Sequence, residues 1–308
     1  MDDQYILSIC IPTYNRAEYL ERSLDSLFTV TFNRWHDFEV VVSDNCSTDT
    51  TELVCNRFSQ MYSNFRYFKT ERNLVDGNFP EVVLMAKGLY RKIYNDTCIY
   101  NDSSITTMLS FISRYKNSRP LLLFVNRSNH LLTYRIFNRF SDVFNELSFH
   151  VTWLGNYGIW SDDIEEGISF RNGLETKLWQ VDNLLRQACL KTEFVLVESN
   201  FVEVQKVENK DLTYGFVNVF LLNYLRVLRE FERDGLLNKK LLIREEKNLL
   251  FYHFSDIFID SLFKRQKFNF QTRKELCVLW NFYRTKCYFY FFGPKFLKRI
   301  ILRFVKSI

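Results

Sequence analysis

The chain has 308 residues, 47% of them hydrophobic, with 31 Phe and 17 Tyr against 9 Gly and 4 Pro. That composition excludes a disordered or low-complexity protein and suits one large domain or two modest ones. The formal charge of +5 is uneven: Lys264–Ile308 carries twelve Lys/Arg and a single acid, Glu275, so the remainder is net acidic.

Seven cysteines, at positions 10, 46, 55, 98, 189, 277 and 287, are scattered and odd in number, with no Cys-x-x-Cys pair. A disulfide framework and a structural zinc site are therefore not expected, and a reducing cytosol fits best. No basic n-region leads the chain, and no uncharged apolar run reaches the ~18 residues a bilayer span needs.

Tyr5–Ile11 is a continuous apolar run of the kind found in buried parallel strands, and it ends in Pro12-Thr13-Tyr14-Asn15-Arg16. A helix is expected over Ala17–Phe28, with Tyr19, Leu20, Leu24, Leu27 and Phe28 at helical spacing. Phe38–Val42 repeats the strand signal and breaks into Ser43-Asp44-Asn45-Cys46-Ser47-Thr48-Asp49, where all but Cys46 favour turns or caps. A second helix follows from Thr51. Further expected elements are strand Phe65–Phe68, a helix ending at Gly88, strand Leu89–Tyr94, a helix from Ser103 or Ser104 to about Asn117, and strand Arg119–Val125. Beyond these, strands are expected at Phe149–Leu154, Glu193–Glu198 and Asn200–Val207, with a helix over Leu174–Leu190. Amphipathic helices are expected over Gly215–Asp234 and Arg244–Phe263, then a basic last helix from Pro294 to Ile308.

Two strand–polar turn–helix units in succession form a βαβ start, and ligands in open α/β sheets sit outside the carboxyl ends of the strands. Asp44 stands at such an end, either as a plain helix cap or as a nucleotide-reading carboxylate. The run Leu7-Ser-Ile-Cys-Ile-Pro-Thr-Tyr-Asn-Arg-Ala-Glu-Tyr-Leu20, followed by Glu39-Val-Val-Val-Ser-Asp-Asn-Cys-Ser-Thr-Asp49, resembles the N-terminal half of family 2 glycosyltransferases of the GT-A fold. The resemblance covers roughly the first 125 residues.

It implies an α/β fold of GT-A type, a Rossmann-like nucleotide-binding sheet with mixed strands, plus a C-terminal helical extension. Residues 1–125 would form the nucleotide-sugar half, 126–265 the acceptor half and helices, and 266–308 a basic aromatic membrane-associating segment. Pro12, Thr13, Tyr14 and Asn15 would line the nucleotide floor, and Asp44 would accept a hydrogen bond from the base. The family's Asp-x-Asp is replaced here by Asn95-Asp96-Thr97. Asn95 and Asp96 would face the diphosphate, with Asp96 holding Mg²⁺ or Mn²⁺ and Asp102 joining or replacing it. Either acid could instead cap the helix that begins near Ser103.

The loop Gly158-Ile-Trp-Ser-Asp-Asp-Ile-Glu-Glu offers Asp162 and Asp163 as candidates for the base that deprotonates the acceptor, with Trp160 able to stack on a sugar. A solvated acidic loop with a core tryptophan is the competing reading. The basic tail suits an anionic membrane surface, with internal packing as the alternative; nucleic acid is not expected.

The activity implied is transfer of a hexosyl or deoxyhexosyl group from a nucleoside-diphosphate sugar to a hydroxyl of a polyisoprenoid-linked oligosaccharide. The setting would be O-antigen or capsule assembly, with inversion, on the cytoplasmic face of the membrane. A non-catalytic nucleotide- or membrane-binding relative is the alternative. A nucleotidyltransferase would want a Gly/Arg/Lys-rich phosphate loop after the first strand, and Pro12-Thr13-Tyr14-Asn15 is not one.

Overall fold

The computed structural model describes residues 5–30, 34–101, 103–127, 131–165, 172–207, 210–211, 215–255, 268–269, 272–284, 286 and 293–305. The chain divides into two compact units, Met1–Lys206 and Val207–Ile308.

The first unit is built on a five-stranded sheet. Its strands are β1 (Leu7–Thr13), β2 (Phe38–Asp44), β3 (Phe65–Lys69), β4 (Tyr90–Ile93) and β8 (Gly158–Trp160), in spatial order β3-β2-β1-β4-β8. The first four run parallel, joined by helices α1 (Ala17–Val30), α2 (Thr51–Met61) and α3 (Asn78–Leu84), and β8 is antiparallel to β4. The period-two alternation of side chains puts the sheet between two apolar layers. Leu7, Ile9, Ile11, Val40 and Val42 pack with the apolar stripes of α1 and α2, while Cys10, Val41 and Ile93 pack with Val82, Val83 and Trp179.

The chain steps outward from β1 to β2 to β3, then returns to lay β4 on the other side of β1. The order therefore reverses between β1 and β4, and their carboxyl ends flank the topological switch point of the sheet.

A second sheet joins β6 (Leu121–Asn126), β9 (Phe194–Ser199) and β7 (Thr133–Phe137), with β9 central. β5 (Cys98–Tyr100) pairs antiparallel with β10 (Val202–Val204). Around these lie helices α4 (Ser104–Tyr115), α5 (Phe140–Leu147), α6 (Ser161–Glu165) and α7 (Trp179–Leu190).

The second unit holds α8 (Tyr224–Arg233), which continues a π-helical turn over Asn218–Asn223, and α9 (Lys239–Asn248). Asn238 caps α9 by accepting from Leu241 N, and the buried Tyr224 hydroxyl donates to Glu245 Oε1 at 3.0 Å. Helices Thr272–Tyr283 and Pro294–Val305 follow.

Three expectations change. Phe149–Leu154 is not a strand but lies in two tight helical turns, Ser148–Thr152 and Leu154–Asn156. The strand of this region is instead Gly158–Trp160, where glycine lets β8 approach β4: a Cβ on Gly158 would collide with the Tyr90 ring. The helix expected from Leu174 begins at Trp179, because Lys177 adopts a positive φ and separates it from the short helical turn Leu174–Thr176. Among the described residues, no helix is long and apolar enough to cross a membrane.

Candidate functional site

The carboxyl rim of the main sheet collects polar side chains from four separate segments. Thr13 ends β1 and is the cross-strand partner of Asp44, which ends β2. The Thr13 hydroxyl donates to Asp96 Oδ2 at 2.9 Å, and Arg16 Nη1 donates to Asp96 Oδ1 at 3.0 Å. Thr13 thus spans the switch point, from its β2 neighbour to the loop beyond β4. The Asp96 side chain is 3% exposed while that of Arg16 is 36% exposed, so the carboxylate is sealed beneath a cation that still meets solvent. Burial raises the Asp96 pKa, and the Arg16 charge and the two hydrogen bonds oppose that rise.

A clasp binds the turns after β1 and β2. Asn15 N donates to Ser47 Oγ at 2.8 Å, and Asn15 Oδ1 accepts from Thr48 N at 2.8 Å. Asp49 Oδ2 accepts from Ala17 N at the start of α1, while its Oδ1 accepts from Thr51 N at the start of α2. One carboxylate thereby serves two helix starts, whose partial positive charge suits it. Burial alone would raise the Asp49 pKa, but the Thr51 hydroxyl and the amides of Ala17 and Thr51 hold it below the usual carboxylate range.

Asp44 is buried. Its Oδ1 accepts from Ser47 N at 2.8 Å and its Oδ2 from the Tyr67 hydroxyl at 3.0 Å. Burial first, then this hydrogen bond, pushes the Tyr67 phenol upward, so it stays protonated as the donor. Asn45 closes the rim against the chain beyond β3, donating to Asn73 Oδ1 at 2.9 Å and accepting from Leu74 N at 2.7 Å.

Backbone strain gathers at the same rim. Asn15, Cys46 and Val75 have φ of 50°, 65° and 54°. Asn tolerates this region, but a β-branched residue there is a costly outlier of the kind that concentrates at ligand sites. Val75 is held by Asn73 Oδ1, which accepts from its amide at 2.8 Å.

The site residues expected from sequence fall into three groups. Pro12, Thr13, Tyr14, Asn15, Asp44, Asn95 and Asp96 all lie on or just beyond this rim; Tyr14 is exposed, and Asn95 turns the chain by accepting from Cys98 N through its carbonyl. Asp102 lies outside the described residues.

Asp162 and Asp163 lie on the opposite rim. β8 runs against β4 with Trp160 beside Tyr90, and Tyr90 pairs with Leu7 at the amino end of β1. The acids therefore follow β8 off the amino rim, roughly 20 Å along the strands from Thr13. Each is tied down there: Asp162 by Arg119, and Asp163 by Lys191 at 2.5 Å. Trp160 is 1% exposed, with its indole N–H donating to Pro120 O at 2.7 Å, so it is a core residue and not a sugar platform.

The expected divalent cation does not fit Asp96 in this arrangement. Both of its oxygens are engaged, one by a guanidinium that a metal would have to displace. Among the described residues, no group of three or more His, Cys, Asp or Glu could hold a metal ion. Arg16 and Tyr67 were the residues that sequence reasoning passed over. Arg16 adjoins the Pro12–Asn15 turn, and a lone basic residue between a strand end and a helix start was the available signal.

Comparison with known proteins bears on the family and the fold. Residues 8–157 match the model for glycosyl transferase family 2. A stretch of 127 residues is 37% identical to an abequosyltransferase of Salmonella typhimurium, covering 40% of this chain and 36% of that protein. A shorter stretch of 53 residues is 53% identical to a validoxylamine A glucosyltransferase of Streptomyces hygroscopicus, covering 17% of this chain and 12% of that one. The chain thus spans little more than a third of the first of these relatives.

Staphylococcus aureus TarS 1–349, solved with UDP-GlcNAc, superposes with TM-score 0.57 at 18% identity, over 81% of this chain and 72% of that one. A Pyrobaculum calidifontis mannosyltransferase, solved with GDP-Man and Mn²⁺, gives TM-score 0.58 at 14% identity, over 81% and 71%. The fold is GT-A, and residues 8–157, just under half of the chain, match glycosyl transferase family 2.

Proposed function

We propose that this protein transfers a sugar from a nucleoside-diphosphate sugar to a hydroxyl of a lipid-linked oligosaccharide in surface-polysaccharide synthesis. The observation that carries the reading is the joining of Thr13, Asp96 and Arg16 across the sheet's switch point, within the region that matches the family. In the transfer, the bond from the anomeric carbon to the β-phosphate oxygen breaks and the nucleoside diphosphate leaves with the electron pair. The acceptor oxygen forms the new bond and its proton passes to solvent water, and direct displacement inverts the anomeric centre.

Within this reading, Pro12, Thr13 and the Tyr14-Asn15 turn floor the nucleotide. Asp44 orders the Ser43–Asp49 turn and accepts from the base in exchange for the Tyr67 hydroxyl. Asn95 and Asp96 face the diphosphate. The likeness to an abequosyltransferase supports an O-antigen setting, and the exposed Leu297 and Ile301 beside basic residues support a cytoplasmic protein resting on an anionic membrane.

Incubation of the full chain with a panel of nucleotide sugars and a polyprenyl-diphosphate-linked oligosaccharide, followed by mass spectrometry, tests the proposal. It requires an acceptor enlarged by one sugar residue. Nucleotide binding with no sugar transferred to any acceptor would favour a non-catalytic relative.

A further inference from the structure

A carboxylate sealed at the switch point cannot face a diphosphate without a cation between them, since the two repel at close range in a low-dielectric setting. The chain supplies a cation at that place. Arg16 Nη1 lies 3.0 Å from Asp96 Oδ1, and the Thr13 hydroxyl fixes the other oxygen, so the carboxylate is held in one orientation and aims the guanidinium. A guanidinium carries five N–H donors in a rigid fork. One of them serves Asp96, and the side chain keeps 36% of its surface open. Such a group can hold the carboxylate and a phosphate oxygen together, which a strongly hydrated lysine does less well.

We propose that Arg16 is the phosphate-binding cation of this site. It would bridge Asp96 to the nucleoside diphosphate and neutralise the charge left when the sugar departs, so that nucleotide binding does not depend on a divalent metal. Asp96 is then a positioning residue and Thr13 the group that locks it. The inference rests on the nucleotide-sugar reading above. It also separates this protein from the mannosyltransferase of the same fold that was solved with Mn²⁺.

The test is calorimetric titration of the full chain with UDP, GDP, CDP and dTDP, each in EDTA and each with Mn²⁺. The same titrations are run on Arg16→Ala and Arg16→Lys, with unfolding midpoints recorded for all three proteins. The expected result is one preferred nucleotide whose affinity is the same within about twofold in EDTA and Mn²⁺. Arg16→Ala lowers the midpoint, because Asp96 loses its cation, but stays folded at the titration temperature and weakens binding by about tenfold or more, the size of one charge-assisted bond; Arg16→Lys restores part of both losses. Tenfold tighter binding to the wild type with Mn²⁺, or unchanged affinity in a folded Arg16→Ala, overturns the proposal and leaves the nucleotide-sugar reading standing. Failure of all four nucleotides under both conditions overturns that reading, and this inference with it.

Discussion

The Thr13 hydroxyl donates to Asp96 Oδ2 at 2.9 Å across 83 positions of sequence. It joins the end of the first strand to the loop beyond the fourth, at the one place where the strand order reverses. Replacing Thr13 by Val keeps the shape and removes this donor, leaving a buried carboxylate with less support. Loss of such a bond costs about 1–3 kcal/mol. Urea unfolding is expected to show a loss of that size, and nucleotide affinity is expected to fall with it.

Asp163 and Asp162 provide the contrasting pair. Lys191 and Asp163 have side chains only 14% and 3% exposed, so Asp163→Asn strands a mostly buried ammonium and is expected to destabilise by ~3 kcal/mol. The Asp162 side chain is 46% exposed, and Asp162→Asn should change stability by less than ~1 kcal/mol despite its contact with Arg119. Neither substitution should alter nucleotide affinity, because both acids sit on the amino rim. A large loss of affinity in a folded Asp162→Asn would return the loop to the candidate site.

These two acids also mark where the sequence stopped being legible. The β1-α1-β2-α2 start could be read because continuous β-branched runs and polar turns have few other physical outcomes, and Asp44 and Asp96 fall where strand ends must be. The direction of β8 could not be read. Gly158–Trp160 has three residues, too short for a periodicity, and its pairing against β4 is set by the close approach that Gly158 allows. Reversing that strand carries everything after it to the other rim. Arg16 was passed over for a related reason: its partner lies 80 positions away, and nothing local to the Pro12–Arg16 turn names it.

Lys92 is fully buried in β4, donating to the carbonyls of Gly155 and Tyr157, with its Nζ 4.7 Å from the Tyr94 ring centre. Burial lowers its pKa from 10.5 to about 7. At this residue the unfolded chain therefore holds one more proton than the folded one between those two values, so the Lys92 contribution to stability rises with pH across that window, opposed near its upper end by the buried Cys10, Cys55 and Cys98 thiols, whose pKa values burial raises. Measured as the difference in stability between wild type and Lys92→Met, in which the shared cysteine contributions cancel, the gain from pH 7 to pH 9.5 is expected to be roughly 2–3 kcal/mol, read from urea midpoints of both proteins. A stability difference between the two proteins that stays constant over that range would show that Lys92 keeps its ordinary pKa in the fold.

Gly88 lies against β1. A Cβ there would stand 2.5 Å from Ser8 Oγ and 2.8 Å from Ser8 N, and backbone cannot yield as a flexible side chain does. The Gly88 amide also donates to Ser8 Oγ at 2.8 Å. Gly88→Ala is expected to cost about 1–3 kcal/mol or more and to lower the thermal midpoint accordingly.

The helix Pro294–Val305 buries Phe296 but leaves Leu297 and Ile301 52% and 61% exposed, with Lys298 exposed between them. Cosedimentation with vesicles containing anionic lipid is expected to exceed that with neutral vesicles and to fall at high salt. Leu297→Glu with Ile301→Glu should weaken it further.

On the proposed function the carboxyl rim takes the nucleotide and the amino rim does not. Hydrogen–deuterium exchange on the full chain, with and without its preferred nucleoside diphosphate, tests it most directly. Slower exchange is expected over Thr13–Ala17, Asp44–Thr51 and Asn73–Asn78, with no change over Trp160–Glu165. Protection confined to Trp160–Glu165, with the Thr13 and Asp44 turns unaffected by a nucleotide that binds, would contradict it.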